Sequence, residues 1–111
     1  MSRVAWTIEP LNARVERELL ALPDDMQARF LRIAEMLVEF GPQGVGMPLV
    51  RPLGSKLWEI RISGRAGIGR AIYVAAGGQR LVVLHAFVKK TERTPRQAIE
   101  MPLKRMKEVK P

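Results

Sequence analysis

The segment LHAFVKKT, residues 84–91, holds the only histidine of the chain, His85, and follows it with Lys89 and Lys90. Upstream, LWEIRI carries Glu59 and Arg61, and GRAIYV carries Arg70 at its start. An imidazole can take or give a proton near neutral pH. Arginine and lysine donate charge-assisted hydrogen bonds to phosphate oxygens, and a lysine crowded by other cations loses its proton more readily than a free one. Together these groups have the chemistry to bind a phosphodiester and to move protons on it. Each also has a plainer reading. A lone histidine among apolar strand residues is more often structural than catalytic, a lysine pair after a strand is usually a solvated end, and Arg61 can simply pair with Glu59.

Other chemistries are disfavoured by composition. Cysteine is absent and histidine occurs once, which argues against disulfides, thiolate metal sites and a zinc centre of the usual kind. No cofactor is expected. The start, MSRVAWTIEP, lacks the apolar middle of a signal peptide, and no apolar run is long enough to span a bilayer, so a cytoplasmic location is expected. With 111 residues, the chain is expected to form a single domain over residues 1–111.

The elements that must position the cations can be read from periodicity. Val4, Trp6 and Ile8 alternate as in a short strand. Asn12 is placed to cap a helix with Val15, Leu19 and Leu22 on one stripe. Pro23-Asp24-Asp25 starts a second helix with the stripe Met26, Phe30, Ile33, Leu37 and Phe40, ended by Gly41-Pro42. Residues 41–56, rich in Gly and Pro, are expected to be a surface loop. Three strands follow, Leu57 to Ile62, Ile68 to Val74 and Leu81 to Val88, joined at hairpin distances. The last is apolar on both parities and so belongs inside the sheet.

Thr94, Pro95 and Gln97 form a helix start, and Ile99, Leu103 and Met106 a docking stripe. Pro102 should kink or restart that helix. The predicted order is β-α-α-β-β-β-α, an α+β fold.

On the strands, Trp58, Ile60 and Ile62 should face the helices, leaving Glu59 and Arg61 on an open second face. Arg70 shares parity with Ile68, Ile72 and Val74, so it should lie past the buried part of the strand or be re-aimed by a bulge near Gly69. His85 shares parity with Leu81, Val83 and Phe87.

Net charge is +8 and is unevenly distributed. Residues 1–50 carry five Arg against seven acids, residues 51–88 six cations against Glu59, and residues 89–111 eight cations against three acids. All the excess lies after Val50, which points to a polyanion, with nucleic acid ahead of an anionic membrane.

The segments RPLGSKLWEIRI, GRAIYV and LVVLHAFVKKTERTP resemble the RelE/HigB-like toxins of bacterial type II toxin–antitoxin systems, in particular the phage-derived HigB-like branch. The resemblance spans roughly residues 50–105. It implies a RelE-like fold: a small, mainly antiparallel sheet with the αα-hairpin on one face, an RNA cleft on the other, and a C-terminal helix. It also implies ribosome-dependent cleavage of mRNA by 2′-hydroxyl attack, without a metal, and neutralisation by a helix-turn-helix antitoxin, the pair together binding operator DNA.

On this resemblance Arg61, Arg70, His85 and Lys90 are the candidate catalytic residues, with Arg70 on the phosphate. Arg51, Lys56, Lys89, Arg93 and Arg96 are the candidate RNA-binding residues. Glu59 stands where RelE has a lysine, and the C-terminal tyrosine of the RelE branch has no counterpart, since Tyr73 lies in a strand. These departures keep open a non-enzymatic module that binds nucleic acid or antitoxin.

Overall fold

The computed structural model describes residues 6–89 and 96–111. Strand β1 (Thr7–Pro10) leads into helices α1 (Ala13–Leu20) and α2 (Asp24–Phe40). Strands β2 (Val50–Gly54), β3 (Leu57–Gly64), β4 (Gly67–Ala76) and β5 (Arg80–Lys89) follow, then helix α3 (Arg96–Met106). The strands form one sheet in the order β1-β5-β4-β3-β2. Only the β1–β5 pairing is parallel, so β5 has a strand on each side, as its double apolarity predicts.

The αα-hairpin forms as its stripes require. Asn12 accepts a hydrogen bond from the Val15 amide at 3.0 Å and starts α1. Gly41 ends α2 with φ 77°, a conformation that suits glycine. Met26, Phe30, Ile33 and Leu37 are buried against Ile60 and Ile62, with Trp58 packed at the margin, as expected. Phe40, by contrast, is largely exposed; the chain turns back at Gly41 into a short 3₁₀ turn, Pro42–Gly44, and the last turn of the helix extends past the core.

Three sequence expectations need correction. The 41–56 segment is not all loop, because Val50–Gly54 pairs with β3 as an edge strand. Pro52 is compatible with that place because an edge strand need not donate on both sides, and the turn beyond it uses positive φ at Gly54, Ser55 and Lys56. The helix α3 runs continuously through Pro102, neither restarting nor ending there. As expected, Ile99, Leu103 and Met106 pack on the body, beside the more deeply buried Ala98, Pro102 and Arg105. Finally, the second sheet face is not simply open: Leu57, Ile72, Val74, Val82 and Leu84 form a second core there under α3. The expected α3 start at Thr94, Pro95 and the Gln97 side chain lies outside the described residues, as does Val4.

Candidate nucleic-acid interface

The second face carries the cations at the end of the sheet where β3 turns into β4. Across the sheet, Arg61 pairs with Arg70 and Arg70 with Phe87. In the neighbouring row, Arg51 pairs with Glu59, Glu59 with Ile72, and Ile72 with His85. Lys89 lies opposite Ile68, one row further out. Side chains alternate between faces along a strand, so Arg51, Glu59, Arg61, Arg70, His85, Phe87 and Lys89 share this face. The sheet brings together most of the sequence-predicted site.

Two like charges directly opposite one another, as Arg61 and Arg70 are, would repel. Glu59 offsets this. Its Oε1 accepts from Arg70 Nη1 at 2.6 Å and from Arg51 Nε at 2.9 Å. Arg70 is 1% exposed and Glu59 0%, so this is a buried ion pair and not a surface one. Arg70 therefore follows neither sequence expectation. It stays within the buried part of β4, on its own parity, because Glu59 neutralises it there. Glu59 in turn is not on an open surface. Arg61 and Lys89 are half-buried, and Arg51 keeps 40% of its side chain exposed.

A bulge does exist, but on the other side of β4. Register shifts between Ile72, opposite His85, and Tyr73, opposite Val83, leaving Leu84 as the extra residue. Leu81 and Val83 belong to the first core, whereas His85 sits on the second face and stacks on Phe87 with ring centroids 4.9 Å apart. The parity expected for His85 with Leu81 and Val83 is thus broken by one inserted residue.

His85 belongs to a network that sequence reasoning missed. Its Nδ1 lies 2.8 Å from Glu18 Oε1, which also accepts from the Ala86 amide at 3.1 Å and from Arg105 Nη1 at 3.0 Å. Arg105 donates in addition to the Leu84 carbonyl at 2.8 Å. Strand β1 pairs with β5 only as far as Val83, so these two side chains satisfy the backbone groups that β1 does not reach. Partial burial pushes the Glu18 carboxyl up, but the hydrogen bonds from Arg105, His85 and Ala86 outweigh it, and the carboxyl lies below its ordinary range. One sequence signal was available. Glu18 stands three residues after buried Val15, on the inward side of α1, where an acid needs a partner.

The remaining candidates are dispersed. Lys56 lies at the turn into β3, five residues from Arg61 and at the opposite end of that strand, so the fold does not bring it to the cluster. Arg96 is exposed on the first residue of α3. Lys90 and Arg93 lie outside the described residues. Tyr73 faces the first core, away from the cations. Its hydroxyl is buried without a hydrogen-bond partner among the described residues, and burial pushes its pKa up to about 12. Among the described residues no helix is long and apolar enough to cross a membrane.

No curated protein matches the chain. The family model described as "Phage derived protein Gp49-like (DUF891)" matches residues 17–107, from the second half of α1 to the end of α3. That span includes Glu18, every cation of the sheet face and Arg105. The chain therefore belongs to the Gp49-like phage-derived family, a family associated with toxins of the RelE/HigB type.

Proposed function

We propose that the protein is the toxin of a type II toxin–antitoxin pair and cleaves messenger RNA on the ribosome. The observation that carries this reading is the convergence of Arg51, Arg61, Arg70 and Lys89 on one sheet face, with His85 in the adjacent row. A helix-turn-helix antitoxin neutralises it, and the complex binds operator DNA.

Cleavage proceeds by attack of a ribose 2′-hydroxyl on the adjacent phosphorus. The 5′-oxygen leaves, and a 2′,3′-cyclic phosphate remains. Charge grows on the phosphorane oxygens, and preorganised cations stabilise it more than the ground state. Arg51 and Arg61 are the cations of this face with surface to offer, while the Lys89 ammonium is buried. Arg70 lies beneath, where it holds Glu59 in place under Arg51 and Arg61. Lys90, next in sequence to Lys89, serves as the proton-transfer group. With Nδ1 on Glu18, His85 has its Nε2 as the ring's remaining proton site.

A second reading has its own support. Arg70 and Glu59 are almost fully buried and bonded to each other, which fits a module that binds RNA or antitoxin without cutting. Controlled expression with primer-extension mapping of translated messages separates the two. Cleavage by the wild type, lost about a hundredfold or more in Arg61→Ala or Lys90→Ala, supports the nuclease. Full cleavage in both variants overturns this assignment of the site, and absence of cleavage by the wild type leaves the binding module.

A further inference from the structure

The tip of the β3–β4 hairpin is fastened to the start of α2. The Arg65 amide donates to Asp25 Oδ2 at 2.9 Å, while Asp25 Oδ1 accepts from the Met26 amide at 2.9 Å. Gly64 makes this approach possible, because a Cβ there would stand 2.7 Å from Met26 Cγ and 2.9 Å from Asp25 Oδ2. The fastening fixes Arg65 beside Arg29 on α2. Two concavities meet at this corner. One, of about 400 Å³, is lined by Asp25, Arg29 and Arg32 above Ile33, Met36 and Leu49. The other, of about 470 Å³, is lined by Asp25, Arg29, Ser63, Gly64 and Arg65.

Arg29, Arg32 and Arg65 are exposed, and among the described residues none of their guanidinium groups forms a salt bridge, although the Arg65 amide and, more weakly, the Arg65 charge help hold the Asp25 carboxyl below its ordinary range. The one carboxylate between them, Asp25, is occupied by two backbone amides. Arg29 and Arg32 lie three residues apart, on one side of α2, separated by ~4.5 Å along its axis. Arg65 is four residues beyond Arg61, at most ~14 Å along the strand. The cations of the second sheet face thus continue around the hairpin tip onto the helix side of the molecule.

We infer that this corner is a second anchoring surface for a nucleic-acid backbone. Arg29, Arg32 and Arg65 hold phosphates of the strand beyond the segment lying on Arg61. The identity of the polyanion as RNA rests on the function proposed above, but anchoring is independent of cleavage. Forked guanidinium groups beside the Ser63 hydroxyl suit phosphate oxygens. Neither concavity has the aromatic side chains that anchor protein partners.

The test is fluorescence anisotropy of the full-length protein with a labelled single-stranded 2′-O-methyl RNA, which offers no 2′-hydroxyl for attack, over a range of salt. Arg29→Gln, Arg32→Gln and Arg65→Gln should each lower the slope of log affinity against log salt by about 0.7, and weaken binding about fourfold at 0.15 M salt. Arg14→Gln, an exposed change on α1, should leave both unchanged. Unaltered slopes in the three variants overturn the inference. An equal loss in Arg14→Gln also overturns it, since net charge alone would then be responsible. So does a loss confined to binding of poly-glutamate, which would identify an acidic protein as the partner. A wild type that cuts no message would remove the nuclease reading and leave this measurement decisive.

Discussion

The Glu18 carboxylate of α1 meets the His85 ring of β5 at 2.8 Å, and the same oxygen takes the Ala86 amide and the Arg105 guanidinium. One side chain thereby joins both faces of the sheet. Removing it leaves three donors short of an acceptor, whereas removing the imidazole leaves the other two bonds in place. Glu18→Ala should therefore lower the unfolding free energy by about 2–3 kcal/mol and His85→Ala by about 1 kcal/mol. Urea unfolding of both variants checks the order. A larger loss in His85→Ala would contradict it.

The same carboxyl makes stability depend on pH. Its folded pKa lies below the ordinary value of 4.5, because the upward push of burial is outweighed by hydrogen bonds from Arg105, His85 and Ala86, so the unfolded chain takes up the proton first as pH falls. The contribution is fully present above that ordinary value and is lost as pH drops through the lowered folded one. As pH falls below the ordinary carboxyl range, wild-type urea midpoints should drop by more than those of Glu18→Gln. Parallel pH profiles would remove Glu18 from the acid response.

The Glu59–Arg70 pair is a matter of folding before it is one of activity. With both groups almost wholly out of water, Arg70→Ala should cost about 3–5 kcal/mol by leaving a buried carboxylate without its main partner. Replacing both, as Glu59→Met with Arg70→Met, should recover most of that loss. Thermal unfolding of the single and double variants measures the coupling. Activity lost in Arg70→Ala is informative only if the double variant is folded and inactive as well.

The sole tyrosine offers an optical probe. Its hydroxyl has no hydrogen-bond partner among the described residues, so Tyr73→Phe should be neutral or stabilising by up to about 1 kcal/mol, unlike most core changes. Because its folded pKa is raised to about 12 from 10.0, its stabilising effect is complete below pH 10.0 and declines as pH rises toward 12. Ultraviolet titration should show little tyrosinate before about 12, unless the chain unfolds first. Ionisation at the ordinary value in folded protein would place the ring in solvent.

The helices and the inward face of β3 were legible because apolar residues recur at the spacing of one helix face or one strand face. Asn12 was legible as a cap for the same local reason. Strand β2 was not, since Pro52 and Gly54 belong equally to loops and only the partner strand makes VRPLG extended. The side on which His85 lies was hidden by the extra residue at Leu84, which no local pattern marks. The burial of Arg70 was hidden too. Its partner Glu59 lies on a different strand, and an arginine and a glutamate that bond across a sheet read, one at a time, as surface charge. The cations of the site were found by residue type, but their shared face depended on register.

The two borders of the sheet also bear on what the protein can do in a crowded solution. A bare β-strand border invites another chain to extend the ladder, which leads to misassembly and fibres. On the side bordered by the short β1, the stretch of β5 past the end of β1 already has its Leu84 carbonyl and Ala86 amide taken by Arg105 and Glu18. The opposite border, β2, carries Pro52, which has no amide proton to offer, next to the irregularity before Gly54. Neither this stretch of β5 nor β2 is a clean template for strand addition, so at both places the ladder is closed to a further chain by side chains and by a proline rather than by another strand.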